Sequence, residues 1–228
     1  MACMNTSTEL LQNGELQHRR DGRGVHWLTL NSPGTFNALS ESMLQALQQS
    51  IERVAADDTA RAVVLGARGK AFCAGHNLKE MKAHPALDYY QKLFAQCTRM
   101  MMALRKLPVP VIAQVQGIAT AAGCQLVAQC DLAVAADGVR FGVNGIEVGL
   151  FCATPSVPLS RNMQPKQAME MLVTGGFIDA NEAQRRGLVN RVVAAERLDA
   201  EVQSLVQAIL GKPRLALAMG KQLFYQQA

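Results

Sequence analysis

The sequence predicts one α/β domain whose buried strands are joined by helical crossovers. Three short apolar runs, at residues 60–67, 109–117 and 131–137, are typical of strands covered on both faces. Segments of helical periodicity separate them, and the composition of the chain does not change between them. We therefore expect strand–helix–strand connections within one core of this 228-residue chain.

The N-terminal elements are predicted from alternation and capping. Residues 24–32 alternate apolar and polar side chains as a half-buried strand does, and the preceding residues 19–24 have the composition of a hairpin turn. Ser40 is a good N-cap for a helix over residues 39–57, which carries apolar residues at helical spacing. A long helical pattern over residues 88–107 stops at Pro108.

The second half contains a small-residue helix at residues 121–130, and from Pro165 onward it is mainly helical, apart from a strand within residues 188–193. The last pattern, residues 213–228, ends without a capping glycine, so we expect this segment to be incomplete. We divide the chain into an N-terminal tail (1–14), a core (15–195) and a C-terminal helical segment (196–228).

Composition excludes several classes of function. The net charge of +5 comes from scattered lysines and arginines without an aromatic-interleaved basic stripe, so we expect no nucleic-acid partner. No apolar run reaches the ~18–20 residues that span a bilayer, so we expect no membrane association. The six cysteines show no CxxC pair or zinc-like spacing, which predicts no metal and a reduced protein. With an N-terminus that does not resemble a transit peptide, we expect a cytoplasmic location.

Two stretches share a design that points to a function. Residues 71–78 (AFCAGHNL) and 115–137 each run from an apolar strand through small residues into a helix start. Small residues allow close approach to a ligand, and a helix N-terminus presents unpaired N–H groups. Two such turns facing one another could hold a single oxygen between two backbone donors as an oxyanion hole. The alternative is tight helix–strand packing alone.

These two stretches, with FNALS before them and FGVNGIEVGL after them, closely resemble the crotonase superfamily of enoyl-CoA hydratases and isomerases. The resemblance covers roughly residues 15–228. It implies a crotonase-like spiral of ββα/βαβ turns with a C-terminal helical region. It also implies an acyl-CoA thioester as the partner, no separate cofactor because coenzyme A is part of the substrate, and a homotrimer or dimer of trimers.

The resemblance assigns the backbone N–H groups of His76 and Ala122 to the oxyanion hole. It also matches Asn37, Ala38, Ala74 and Lys79 to positions that shape the CoA site of relatives. The chemistry of residues 71–80 would then come from the backbone, which explains why this stretch contains so few acids and bases. The His76 side chain has either a packing role or a catalytic one.

The family pattern fails at both hydratase glutamates. The matching positions hold Gln125, which cannot accept a proton at neutral pH, and Gly145, which has no side chain. Glu147 and Cys152 are the candidate substitutes, although a surface carboxylate and a buried thiol are simpler interpretations of them. Three functions stay open: a hydratase or isomerase, other crotonase chemistry such as decarboxylation of a malonyl-type thioester, and acyl-CoA binding without turnover.

Overall fold

A computed structural model describes residues 7–11 and 14–227, in which strands and helices alternate as a spiral. The strands, in chain order, are β1 Ser7–Leu11, β2 Leu16–Arg20, β3 Val25–Leu30, β4 Ala62–Ala67, β5 Ala71–Cys73, β6 Val111–Val115, β7 Ile118–Thr120, β8 Leu132–Ala136, β9 Arg140–Gly142, β10 Ile178–Asp179 and β11 Arg191–Val193. The α-helices are α1 Glu41–Ala56, α2 Leu78–Ala83, α3 Leu87–Lys106, α4 Ala122–Gln129, α5 Ala153–Asn162, α6 Pro165–Thr174, α7 Ala180–Arg185, α8 Leu198–Leu210 and α9 Arg214–Gln226.

The strands form two sheets. The larger sheet has the order β1-β2-β3-β4-β6-β8-β11, antiparallel from β1 to β3 and parallel from β3 to β11. The smaller sheet has the order β10-β9-β7-β5. Each turn of the spiral places one strand in the large sheet, the next in the small sheet, and then a helix. This repeat, β4-β5-α2, β6-β7-α4 and β8-β9-α5, confirms the predicted spiral of ββα turns.

Local sequence explains how the first elements form. The Asp21 carboxylate accepts hydrogen bonds from the backbone N–H groups of Arg23 (2.9 Å) and Val25 (3.1 Å), which fixes the predicted hairpin turn between β2 and β3. The hydroxyl of Ser40 accepts the N–H of Met43 at 3.0 Å and caps α1, as predicted.

The core lies between the large sheet and the helices, and it continues into the small sheet. The three predicted apolar strands are β4, β6 and β8, and their central side chains are fully buried. Phe72 of β5 and Phe141 of β9 are also fully buried and anchor the small sheet. The two turns of interest therefore start from rigid strands.

Some elements differ from the sequence-based expectation. The segment expected as a tail (1–14) contains β1, which pairs with β2, while residues 1–6, 12 and 13 lie outside the described residues. The sequence analysis assigned no element to residues 153–162, where the structure has α5. This helix contains Pro158 in its interior and Pro155 in its first turn, and proline normally argues against a helix interior.

Within residues 7–11 and 14–227, no helix is both long enough and apolar enough to cross a membrane.

Candidate active site

The first of the two turns exposes the backbone N–H of His76. In the bridge between residues 39 and 76, the N–H of Leu39 donates to the carbonyl of Gly75 (2.7 Å) and the N–H of Asn77 donates to the carbonyl of Leu39 (3.4 Å). In this parallel bridge Leu39 pairs with the carbonyl of Gly75 and the N–H of Asn77, the residues on either side of His76. The N–H of His76 itself therefore points away from Leu39. No described residue accepts a hydrogen bond from it.

The second turn exposes the N–H of Ala122. The N–H of Ala121 donates to the carbonyl of Gly142 at 2.9 Å, and Ala122 is the first residue of α4. The first N–H groups of a helix have no intrahelical acceptor and lie at the positive end of its dipole. Ala121 has φ 50° and ψ −121°, a conformation that alanine seldom adopts. Backbone strain is therefore concentrated beside this donor.

The two turns are in contact, as the oxyanion-hole interpretation requires. A Cβ atom built on Gly75, which has φ 87°, would lie 2.9 Å from the Cβ of Ala121 and 3.1 Å from the nitrogen of Ala122. A Cβ atom built on Gly123 would lie 2.1 Å from the carbonyl oxygen of Cys73. Glycine at these two positions thus allows the backbones of the two turns to approach one another closely.

A cavity of about 400 Å³ lies beside these turns, and its wall is mainly apolar. Within the described part of the chain, none of its lining residues is Asp, Glu, Lys or Arg. Its lining includes both predicted donors, together with aromatic and aliphatic side chains of α3 and of residues 148–155: Ala74, His76, Leu78, Met81, Phe94, Thr120, Ala121, Ala122, Asn144, Gly145, Val148, Leu150, Phe151, Cys152, Ala153, Thr154 and Pro155. A cavity of this composition suits an uncharged acyl chain.

The His76 imidazole forms part of the cavity wall. Its ring lies 5.2 Å from that of Phe94 in an edge-to-face arrangement (84°), and neither ring nitrogen has a hydrogen-bond partner among the residues described. Burial lowers the pKa of His76 from 6.5 to about 4. The imidazole is therefore neutral at pH 7 and is a weak base.

The two positions that the resemblance matches to the hydratase glutamates, Gln125 and Gly145, differ in their access to the cavity. Gln125 is 5% exposed and is not among the lining residues, and its Oε1 finds no partner within the described residues. Gly145 lines the cavity, but a Cβ atom built on it would lie 2.4 Å from the carbonyl oxygen of Leu150 and 2.8 Å from the Sγ of Cys152. This backbone position therefore has no room for a side chain.

The two candidate substitutes are not placed as bases. Glu147 is exposed and does not line the cavity, because its side chain lies against Gly175, where a built Cβ atom would be 3.0 Å from Oε1. Cys152 lines the cavity, but burial raises the pKa of its thiol, which keeps it protonated. The structure thus places Glu147 outside the cavity and keeps the Cys152 thiol protonated, so neither residue is positioned and ionised as a general base there.

The predicted CoA-binding residues are arranged around the first turn. Ala74 lines the cavity, and its N–H donates to the carbonyl of Phe36 at 3.1 Å. Asn37 is fully buried: its Oδ1 accepts the N–H of Ser32, and its Nδ2 donates to the carbonyls of Arg68 and Ala71, each at 2.8 Å. Its side chain therefore holds the loop in place and is not free for a ligand.

Ala38 lies in the same loop and is buried, whereas Lys79 is exposed on α2 and does not line the cavity. Contact of Ala38 and Lys79 with coenzyme A remains a prediction.

The sequence analysis missed one polar pair in the cavity. The hydroxyl of Thr120, at the end of β7, donates a hydrogen bond to the Oδ1 of Asn144, which follows β9. The only local signal was that Asn144 immediately precedes Gly145. The pairing depends on the register of β7 against β9, which sets Thr120 opposite Gly142.

Among the described residues, no group of three or more His, Cys, Asp or Glu side chains is arranged to hold a metal ion.

Comparisons with known proteins agree with this fold. A sequence profile of the enoyl-CoA hydratase/isomerase family matches residues 20–228. A solved enoyl-CoA hydratase of Mycobacterium smegmatis is 62% identical, with a TM-score of 0.92 over 93% of this chain and 83% of that one. The human enoyl-CoA hydratase domain-containing protein 3 is 40% identical in its crystal structure, with a TM-score of 0.87 over 97% of this chain and 83% of that one.

A curated relative corrects one expectation. The enoyl-CoA hydratase domain-containing protein 3 of Xenopus laevis is 44% identical over 97% of this chain and 75% of that protein, and it is named mitochondrial, as are its mouse and human counterparts. These names contradict the cytoplasmic location that we expected. The expectation failed because reduced cysteines and the lack of a recognisable transit-peptide pattern do not distinguish one intracellular compartment from another. By profile, fold and sequence identity, the chain belongs to the enoyl-CoA hydratase/isomerase (crotonase) family and resembles its domain-containing protein 3 branch.

Proposed function

We propose that the chain binds an acyl-CoA thioester with the carbonyl oxygen between the N–H groups of His76 and Ala122. The observation that carries this proposal is the meeting of two turns, each with an N–H that has no acceptor in the described residues, at the wall of an apolar cavity. Preorganised donors in a water-poor site stabilise the negative charge that develops on a thioester oxygen as an enolate forms.

The same cavity supports only weak proton transfer. Its described lining contains no carboxylate, the Cys152 thiol is protonated, and the pKa of His76 is about 4. A positioned acid or base contributes ~10²–10⁴-fold to a rate. We therefore propose a site that polarises thioesters and hydrates enoyl-CoA poorly.

Decarboxylation of a malonyl-type thioester gains less support from the structure. A substrate carboxylate in this cavity would meet no cationic side chain of the described lining, and a buried unpaired charge is costly. The neutral His76 imidazole could donate one hydrogen bond to it. Binding without turnover is consistent with the same geometry. Measurement of substrate loss distinguishes it from slow hydration.

The proposal is tested with crotonyl-CoA, malonyl-CoA and methylmalonyl-CoA, with substrate loss, CO₂ release and binding measured on the same preparation. We expect bound crotonyl-CoA to be hydrated with a kcat of about 10⁻³ s⁻¹ or less, because ordinary enzymes turn over at about 10 s⁻¹ and each of the two absent proton-transfer groups would contribute at least about 10²-fold. Hydration at about 10 s⁻¹ or faster would contradict the proposal and make Glu147 the first residue to replace. Failure of every thioester to bind would refute the site itself.

We also propose self-association as a trimer and, from the names of the relatives, a mitochondrial location. The face of α9 formed by Leu215, Met219, Leu223 and Phe224 is 59–68% exposed, an apolar surface that monomers seldom leave uncovered. Light scattering at micromolar concentration should give the mass of a trimer, and the mass of a monomer would contradict this part of the proposal. Imaging of the tagged full-length protein tests the location.

A further inference from the structure

The peptide unit between Gly75 and His76 carries the first proposed donor, and its orientation is set from outside the turn. The carbonyl of Gly75 accepts the N–H of Leu39 at 2.7 Å. A trans peptide unit is planar, so its C=O and N–H groups point in opposite directions. The contact with Leu39 therefore fixes the direction of the N–H of His76, a residue of the cavity wall.

Leu39 belongs to the loop of residues 31–40, which joins β3 to α1 and contacts the turn at two further points. The N–H of Ala74 donates to the carbonyl of Phe36 at 3.1 Å, and the N–H of Asn77 donates to the carbonyl of Leu39 at 3.4 Å. The first turn thus rests on this loop through backbone hydrogen bonds. A shift of the loop would rotate the peptide unit that carries the donor.

The side chain of Asn37 fixes this loop. It is fully buried, and its Oδ1 accepts the N–H of Ser32 at 2.8 Å. Its Nδ2 donates to the carbonyls of Arg68 and Ala71, each at 2.8 Å, in the segment where β4 leads into β5. Both protons of Nδ2 are therefore used, and the side chain ties the loop to the strand from which the turn starts.

The backbone of Asn37 also favours this residue type. Phe36 and Asn37 have φ 54° and φ 53°, in the left-handed region, where asparagine is enriched several-fold among the non-glycine residues. Glycine would accept the same backbone conformation without providing the side chain. Asn37→Gly therefore removes the hydrogen bonds of the side chain without adding backbone strain.

We infer that Asn37 is a positioning residue of the oxyanion hole: it holds Leu39 where the N–H of Leu39 orients the peptide unit that carries the His76 donor. Asn37 itself does not touch the thioester. This inference rests on the proposed function and adds the group that aims one of its donors. If Asn37 served only the stability of the fold, the polarisation of a bound thioester would not depend on it.

The test uses butyryl-CoA labelled with ¹³C at the carbonyl, bound at saturation, with infrared spectra for the carbonyl band and calorimetry for the dissociation constant. In Asn37→Gly we expect the shift of the band from its free value to fall by about half, because one of two donors loses its alignment. The dissociation constant should rise about tenfold, since one net hydrogen bond is of that order.

Two further variants separate positioning from stability. Asn190→Ala removes a side-chain acceptor for the N–H of Ala133, beside the pairing of β8 with β11, and should leave the band and the dissociation constant unchanged. Asn37→Asp keeps the shape and Oδ1 of the side chain but turns an oxygen toward two carbonyls. It should therefore reduce the band shift as Asn37→Gly does, and it replaces that variant if glycine prevents folding.

Amide hydrogen exchange of the wild type tests the link without any substitution. The N–H of Leu39 should be protected in the free protein, whereas the N–H of His76 should exchange rapidly until butyryl-CoA is added. A Leu39 amide that exchanges as fast as the His76 amide in the free protein would overturn the inference.

The outcomes distinguish this inference from the proposed function. A wild type that binds no butyryl-CoA, or binds it without a shift of the band, refutes the proposed function, and the inference fails with it. A shifted band in the wild type with the same band and the same dissociation constant in Asn37→Gly overturns the inference alone.

Discussion

A side chain at Gly145 should destabilise the protein and should not restore hydratase chemistry. A Cβ atom there would lie 2.4 Å from the carbonyl oxygen of Leu150 and 2.8 Å from the Sγ of Cys152. The carbonyl of Leu150 cannot move away freely, because the N–H of the same residue donates to the carbonyl of Gly145 at 2.9 Å and closes this loop. Overpacking of this kind costs about 2–3 kcal/mol.

For a chain of this size, that loss in Gly145→Ala corresponds to a decrease in Tm of roughly 4–12 °C. Gly138→Ala is the matched control, because a Cβ atom built on Gly138 meets no atom within 4 Å. Thermal unfolding of both variants should show a large decrease for the first only. Equal Tm values would refute the reasoning and show that the loop accepts a side chain, in which case Gly145→Glu becomes a meaningful restoration.

Two further predictions concern stability. Ala121→Gly should raise the free energy of unfolding by about 1 kcal/mol by relieving the conformation at φ 50°, whereas Ala208→Gly, on the exposed face of α8, should lower it by about 1 kcal/mol. A decrease in both variants, measured by urea unfolding, would show that Ala121 is not strained. Burial and the neighbouring His26 lower the pKa of His18 from 6.5 to about 4. Because the folded state keeps His18 neutral, the contribution of His18 to the free energy of unfolding is fully present above pH 6.5 and is lost as the pH falls toward 4. The loss by about pH 5 should be about 2 kcal/mol, and it should shrink in His18→Gln; an unchanged pH dependence in that variant would assign the effect to other groups.

Long, strongly patterned elements could be predicted from the sequence. The apolar runs of β4, β6 and β8 and the cap at Ser40 lie where the patterns indicated. The strands β5, β7, β9 and β10 have only two or three residues each, too few for any periodicity to show, and they exist because neighbouring strands of the small sheet pair with them. Of these strands, β5 was indicated by the apolar start of residues 71–78, and the spiral itself was predicted from the resemblance and the crossovers.

The site was predictable where it depends on the backbone. Small residues before a helix start indicate an exposed N–H, and both turns have one. Other contacts at and beside the cavity depend on residues far apart in sequence: Thr120 with Asn144, and Glu147 with Gly175. The resemblance predicts the loss of an acid at Gly145, but only the fold shows that a side chain has no space there.

The carbonyl stretching frequency of a bound thioester tests the oxyanion hole most directly. Infrared difference spectra of butyryl-CoA labelled with ¹³C at the carbonyl report the polarisation of that bond. The N–H groups of His76 and Ala122 should shift the band to lower frequency than in the free thioester. Ala122→Pro removes one donor at the first position of a helix, where proline is accepted, and should return the band toward the free value. A wild-type protein that binds the thioester without shifting this band would contradict the account.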